Sequence, residues 1–488
     1  MKRGFDNDAY VTLQAERIRQ RISEFGGKLY LEFGGKLADD HHASRVLPGF
    51  APDVKLRMLL TLKEEAEVVV VVNAADIASG KVRSDLGISY DEDALRLVRF
   101  FSSLGLPVAG VVLTRYASQP AADAFRRRLD ALEIPCALTY SIEGYPHDVD
   151  AIVSETGFGA NEFLPTSRPL VVVTAPGPGS GKLATCLSQL YHEHARGIQA
   201  GYAKYETFPV WNLPLVHPVN VAYEAATADL GDSNVIDPFH LDAYGVSTVN
   251  YNRDVESFPV VRALMERILN QCPYQSPTDM GVNMVASGIV DDEVCRQAAR
   301  KEIIRRYFAA ACTVKRTGAG QAAFDRLKLL VKQVGVEPDT YPLRLAALER
   351  AEQTCAPAGA LELPDGTIVT GKTSDLIGAA SSTLLNALKA VARAGDVEVL
   401  APEVIEPICH LKTHCLGAHN PRLHTDETLI ALAQSSVTDP VAAQVFASLE
   451  SLRDCDAFFS VMLSDADKDT LRKLGIRVSC EPVSDYQI

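Results

Sequence analysis

The stretch VVVTAPGPGSGKLATCLSQLYHE, from Val171 to Glu193, carries the residues best suited to chemistry. A run of valines enters a loop holding Gly177, Gly179 and Gly181. Lys182 then opens a segment with Leu183, Cys186, Leu187, Leu190 and Tyr191 on one side. Glycines let backbone amides turn inward, a helix N-terminus adds its dipole and a lysine adds a full charge. Strand, loop and helix in that order can cradle a phosphate. The spelling departs from a Walker A loop at two places. Pro176 stands where the leading glycine belongs, and Leu183 replaces the magnesium-binding hydroxyl. Ser180 and Thr185 are close by, at other positions. The phosphate reading assigns Gly177, Gly179, Ser180, Gly181 and Lys182 to the ligand, and expects a phosphate monoester or diphosphate bound without magnesium. The competing reading is a tight strand-to-helix turn that binds nothing.

A second stretch, Gly366 to Thr373, satisfies the Walker A spelling letter for letter. Its central Thr-Ile-Val-Thr is β-branched, however, and belongs in a strand after an Asp365-Gly366 hairpin turn. The smaller expectation is that Gly371, Lys372, Thr373 and Ser374 begin a helix whose start binds a lone anion, together with the first loop. Gly34-Gly35-Lys36 offers a third anion loop, for which an ordinary glycine turn is the simpler reading.

Acid–base candidates follow the main loop. Lys204, Glu206, His217 and Asn220 lie in a polar, aromatic stretch that either reaches back to a substrate or forms a surface connection anchored by Trp211. Asp237 and His240, with Asp242 beside them, offer a base among carboxylates, or equally a helix cap. Asp39-Asp40-His41-His42 and Arg45 are too close in sequence to converge on one ion. Cys409, His410, His414 and Cys415, with His419 and His424 beyond, make the most metal-like stretch. Nothing frames it as a zinc site, so no metal is expected and His410 and His414 stand as weak candidates.

These groups need a scaffold. Val68 to Val72 reads as a strand covered on both faces, followed by a helix capped at Asp91 and stopped at Gly105. Strands at Val108 to Leu113, Ile134 to Tyr140 and Leu170 to Thr174, separated by single helices such as the one opened by Pro120, imply parallel crossovers and a wound sheet. Residues 291–355 read as three helices without a strand. Beyond them come the hairpin Leu361 to Thr370, a long helix from Ser374, and strands at Val397 to Leu400, Phe458 to Leu463 and Ile476 to Cys480. The expected architecture is an α/β chain with a wound, mostly parallel sheet in residues 1–290, a helical subdomain in 291–355 and a smaller α/β domain in 356–488.

The chain resembles a known family, the domain of unknown function 1846, also called uncharacterised protein family 0371. The resemblance runs nearly end to end through GFDND, GGKLYLEFGGKL, DDHHASRVLPGF, QPAADAFRRRL and RPLVVVTAPGPGSGKLATCLSQLYHE. It continues through GYAKYETFPVWNLPL, HPVNVAYEAATADL, IDPFHL, TVNYNRDVE, SPTDMGVN, ELPDGTIVTGKTSDLIGA and NPRLHTDE. It implies a bacterial, cytoplasmic protein of α/β domains with a helical piece, no established reaction and no catalytic residue to carry over.

Composition narrows the partners. A net charge of −14 opposes a large nucleic-acid footprint. No apolar run is long enough for a membrane span, and the first residues lack the apolar core of a signal peptide. Ten cysteines without a CxxC pair fit reduced thiols. The chain is therefore expected in the cytoplasm, without nucleic acid or membrane, holding a phosphorylated small molecule or nucleotide. Two classes stay open: an enzyme acting on that ligand, or a non-catalytic sensor or homo-oligomeric assembly protein with 291–355 as its contact.

Overall fold

The computed structural model describes residues 3–35, 37, 40–83 and 86–484. They divide into two compact units, one of residues up to 224 with 232–299, the other of 225–231 with 300 onward.

The first unit is built on a parallel sheet. Its strands are β1 (Leu29–Phe33), β2 (Ala66–Asn73), β5 (Val108–Thr114), β6 (Cys136–Leu138), β7 (Leu170–Thr174) and β8 (Gly201–Tyr205), in the spatial order β6-β5-β2-β7-β1-β8. A two-residue ribbon, β3 (Val82–Arg83) and β4 (Ile88–Ser89), interrupts the crossover after β2. All eight residues of β2 are buried, as the valine run requires for a central strand covered on both faces. On one face Tyr30, Val71, Val173 and Tyr202 pack beneath Leu187 and Leu190 of helix Lys182–Ala195 and Phe258 and Leu264 of helix Asn252–Leu269. By alternation Leu31, Val70 and Val172 line the other face, also fully buried.

The order of the strands opens a crevice at one edge of the sheet. The chain leaves β2 toward β5 and leaves β7 toward β8, so adjacent strands send their connections in opposite directions. Right-handed crossovers then place the two helices on opposite faces and open a crevice beyond the carboxyl ends of β2 and β7. The glycine loop follows β7 directly. A short antiparallel pair, β9 (Asn234–Ile236) with β10 (Val249–Tyr251), completes this unit.

In the second unit, helices Asp292–Thr317 (from residue 300), Gln321–Gln333 and Pro342–Thr354 precede a mixed sheet. Its strands β11 (Ala358–Glu362), β12 (Ile368–Lys372), β13 (Asp456–Phe459) and β14 (Arg477–Cys480) run in the order β12-β11-β13-β14. Ile304, Phe308, Tyr341, Leu343 and Ala347 of the helices share one core with Ala360 and Phe458 of the sheet. Among the described residues no helix is long and apolar enough to cross a membrane.

The wound parallel sheet, the three-helix stretch and the smaller mixed sheet all agree with the sequence reading. Five details differ. The helix after β4 begins at Tyr90 with Ser89 as its cap, so Asp91 lies in the first turn. The strand expected over Ile134 to Tyr140 shortens to β6. Residues 397–400 form no strand. The strand expected over Phe458 to Leu463 lies slightly earlier, as β13. The helix expected from Ser374 starts only at Ala379, capped by Gly378.

Candidate functional site

The loop after β7 has the backbone that a phosphate cradle needs. Gly179 (φ 75°) and Gly181 (φ 91°) both adopt the left-handed conformation open to glycine. Among the described residues, the amides of Gly179, Gly181, Lys182 and Leu183 donate to no acceptor, and Gly181 caps the helix without a side-chain bond. Four free donors at a helix start favour an anion. Pro178 and Gly179 are exposed and Lys182 is half-buried, so the loop opens to solvent.

The neighbouring strand ends hold the loop in shape. Thr114, at the end of β5, donates its hydroxyl to the Ser180 carbonyl at 2.6 Å. Asn73, at the end of β2, reaches the Gly179 carbonyl at 3.5 Å and accepts from the Ala75 amide. Ser180 is buried, and its hydroxyl donates to the Gly177 carbonyl at 2.6 Å. A Cβ on Gly177 would meet the hydroxyl oxygen of Tyr90 at 2.3 Å, which explains the glycine. Thr185 is also buried, and its hydroxyl has no partner among the described residues.

A charged group lies on the same sheet edge. Glu32 of β1 pairs in register with Val173 of β7 on one side and Lys204 of β8 on the other. Two strand spacings thus place Lys204 roughly 10 Å from the strand that feeds the loop, on the same face. Lys204 forms ion pairs with Asp254 at 2.6 Å and Glu206 at 3.2 Å. Asp254 stands in the first turn of helix Asn252–Leu269. Tyr202 donates to Glu32 at 2.8 Å.

One lysine here faces three carboxylates, and the excess negative charge shows in the proton affinities. Burial works against the Lys204 charge, but Glu206, Asp254 and Glu32 outweigh it and hold its proton tightly. Burial pushes the Glu206 carboxyl up to about 7; Lys204 pulls it back, while Asp254 and Glu32 oppose the pull. A carboxyl that titrates near neutrality can serve as acid or base. A small cavity of about 50 Å³ adjoins Lys204, Glu206 and Asp254.

The other sequence candidates have structural partners. His217 is buried, bonded through Nε2 to Asp292 at 2.9 Å and through Nδ1 to the Val219 amide. Asn220 braces the backbone of Val210. Asp237 caps helix Pro238–Tyr244, and its oxygens accept from Phe239, His240 and Thr278. His240 contacts Ser276 at 2.9 Å, and Asp242 is exposed. Asp40 caps helix His41–Val46 and pairs with buried Lys55 at 2.6 Å; burial raises its carboxyl, but Lys55 and the Ala43 amide hold it below the ordinary value. His42 packs against the rings of Phe208 and Tyr223. Lys36 and Asp39 lie outside the described residues.

The second lysine site requires a correction. Gly371 and Lys372 end strand β12, and Thr373 and Ser374 follow in a loop, so no helix start exists there. The spacing of the glycine has another cause. A Cβ on Gly371 would sit 2.3 Å from the Thr383 backbone nitrogen, so the residue admits close approach of helix Ala379–Ala392. The Thr373 amide is already bonded to the Pro357 carbonyl at 2.7 Å, and the Ser374 hydroxyl accepts from the Ile377 amide. His410 and His414 do share a face, with stacked rings 4.4 Å apart. Among the described residues no group of three or more His, Cys, Asp or Glu side chains is placed to hold a metal ion.

Sequence reasoning missed Glu32, Asn73, Thr114 and Asp254. A polar residue at the last position of an apolar strand is the available signal for Asn73 and Thr114. Glu32 interrupts an apolar strand in the same way. Asp254 carries no such mark, since only the fold brings it to Lys204.

Residues 3–335 match the family model "Domain of unknown function DUF1846, N-terminal", and residues 339–487 match its C-terminal counterpart. A "UPF0371 protein" of Streptococcus pneumoniae serotype 19F is 53% identical over 486 residues, covering 99% of this chain and 98% of that one. The proteins of that name from serotypes 2 and 4 are 52% identical over the same length and shares.

Proposed function

The chain belongs to the DUF1846 family, and we propose that it binds a phosphorylated small molecule or nucleotide at the carboxyl edge of its parallel sheet and acts on it as an enzyme. One observation carries this reading. The free amides of Gly179, Gly181, Lys182 and Leu183 follow β7, and the Lys204–Glu206–Asp254 group is built on the end of β8, the two strands that flank β1. The amides and the Lys182 charge hold the phosphate. Glu206, poised near neutrality, moves a proton on the part of the ligand beyond it, and Asp254 fixes Lys204.

A thermal-shift screen against nucleotides and phosphorylated metabolites tests the binding, since a ligand of the folded state raises its melting point. Lys182→Ala should reduce the shift at a given ligand concentration. Glu206→Gln should keep the shift and remove turnover of the ligand identified. Absence of any shift across the screen, or a shift indifferent to Lys182→Ala, overturns the proposal. Full turnover in Glu206→Gln would take the proton-transfer role away from Glu206, and a bound ligand that wild type leaves unchanged would return the protein to the non-catalytic class.

A further inference from the structure

A cavity of the first unit with no glycine-loop residue in its wall has a volume of about 310 Å³, within the range of small-molecule sites. Its wall combines two arginines one turn apart on helix Asn7–Glu24, Arg17 and Arg21, with the aromatic rings of Phe25, Trp211, Tyr244 and Tyr274. We infer that this cavity binds a small organic anion, a carboxylate or phosphate carried on a flat ring, independently of the glycine loop.

The charges are arranged for such a guest. Arg21 is almost fully buried; its Nη1 is spent on the Tyr274 hydroxyl at 2.7 Å and the Asp279 carbonyl at 2.9 Å, and its Nη2 donates weakly to the Gly281 carbonyl at 3.4 Å. Its buried Nε makes no hydrogen bond, although Glu24 Oε2 lies 3.0 Å away. Arg17 bonds Gln20 at 2.9 Å, and its nearest carboxylate, also Glu24, stands at 3.7 Å. Two guanidiniums therefore share one exposed carboxylate.

The other acid on the wall, Asp279, is already engaged. Its Oδ2 accepts from the Gln275 and Ser276 amides and the Tyr244 hydroxyl, while its Oδ1 faces His240 at 3.5 Å. Its carboxylate bonds neither guanidinium, although its charge still acts on Arg17. Like charges one turn apart repel. The cost falls on Arg17, whose proton is held less tightly than usual through burial and the neighbouring Arg21. A carboxylate or phosphate accepting from both guanidiniums removes that strain through charge-assisted bonds. The rings give the flat part of the guest its contact surface.

The wall also contains its own reporter, because Trp211 is the single tryptophan of the chain. Tryptophan fluorescence of the full-length protein is titrated with benzoate and with phenyl phosphate, and with benzyl alcohol as the neutral control. At least one anion should give a saturable change that the alcohol does not. Arg17→Gln, at a partly exposed position, should weaken that anion about tenfold or more. Tyr244→Ala, at a half-exposed ring, should also weaken it, and Lys182→Ala should leave it unchanged. Three results overturn the inference: no saturable change with either anion, an equal response to benzyl alcohol, or full affinity in folded Arg17→Gln and Tyr244→Ala. Loss of binding in Lys182→Ala would instead place the anion at the glycine loop and equally refute this site.

Discussion

Gly34 and Glu206 occupy adjoining space at the carboxyl edge of the sheet: a Cβ on Gly34 would lie 2.6 Å from Glu206 Cγ and 3.0 Å from the Tyr205 carbonyl. The glycine therefore admits the carboxylate to its place beside Lys204. Gly34→Ala should displace Glu206 and destabilise the protein by about 1–3 kcal/mol, the usual range for overpacking. Chemical denaturation measures it. Because one of the two clashes is with the side chain, a Glu206→Ala background should recover part of the loss. Strict additivity of the two substitutions would show that the Tyr205 carbonyl alone excludes the methyl group.

The proton affinity of Glu206 gives a second test. Its carboxyl sits at about 7 in the folded protein, above the ordinary 4.5, because burial and the Asp254 and Glu32 charges disfavour ionisation more than Lys204 favours it. The folded state then binds more protons than the unfolded state between those values. This group's contribution is fully present below about 4.5 and is lost as pH rises through about 7. Across that window wild type should lose stability relative to Glu206→Gln by at most about 1.4 kcal/mol per pH unit. Parallel pH profiles for the two proteins would mean that Glu206 is ionised throughout.

What the sequence made legible were features encoded by neighbours along the chain. The valine run named β2, the Val171 to Glu193 stretch named its strand, loop and helix, and Asp365-Gly366 marked a real hairpin. The failures involve tertiary contact. Lys372 resembled a helix start because glycine and lysine precede a serine, yet Gly371 is small for the sake of helix Ala379–Ala392 packing across it. Val397 and Leu400 look like a strand only in isolation. Asp254 reaches Lys204, and Tyr274 reaches Arg21, through sheet register and helix placement that no local pattern records.

The support beneath the loop predicts an effect at a residue that need not touch a ligand. Thr114 donates to the Ser180 carbonyl at 2.6 Å from a buried position. Thr114→Val keeps the shape and deprives that carbonyl of its donor, at a cost of about 1–3 kcal/mol. Thr114→Ser should retain most of the stability. If the loop holds phosphate through its backbone, Thr114→Val should also weaken the ligand. Unchanged affinity in a destabilised Thr114→Val protein would separate loop shape from binding.

Magnesium gives the sharpest test of how the loop works. In a Walker A loop the hydroxyl after the lysine coordinates the ion that bridges two phosphates. Leu183 stands at that place and has no ligating atom. Both nearby hydroxyls are buried. Ser180 is buried with its hydroxyl turned to the Gly177 carbonyl, and Thr185 is buried within the helix. The donors left are the amides of Gly179, Gly181, Lys182 and Leu183 with the Lys182 charge, a set suited to one phosphate group. Binding of a phosphate monoester or diphosphate should therefore be the same with and without EDTA. A charge-assisted bond of this kind contributes roughly 1.5–3 kcal/mol, so Lys182→Ala should weaken binding roughly ten- to a hundred-fold. Calorimetry measures both quantities in one series. ATP binding that is tight only when magnesium is added would show that Thr185, whose hydroxyl lacks a partner among the described residues, turns toward the ion and supplies the missing ligand.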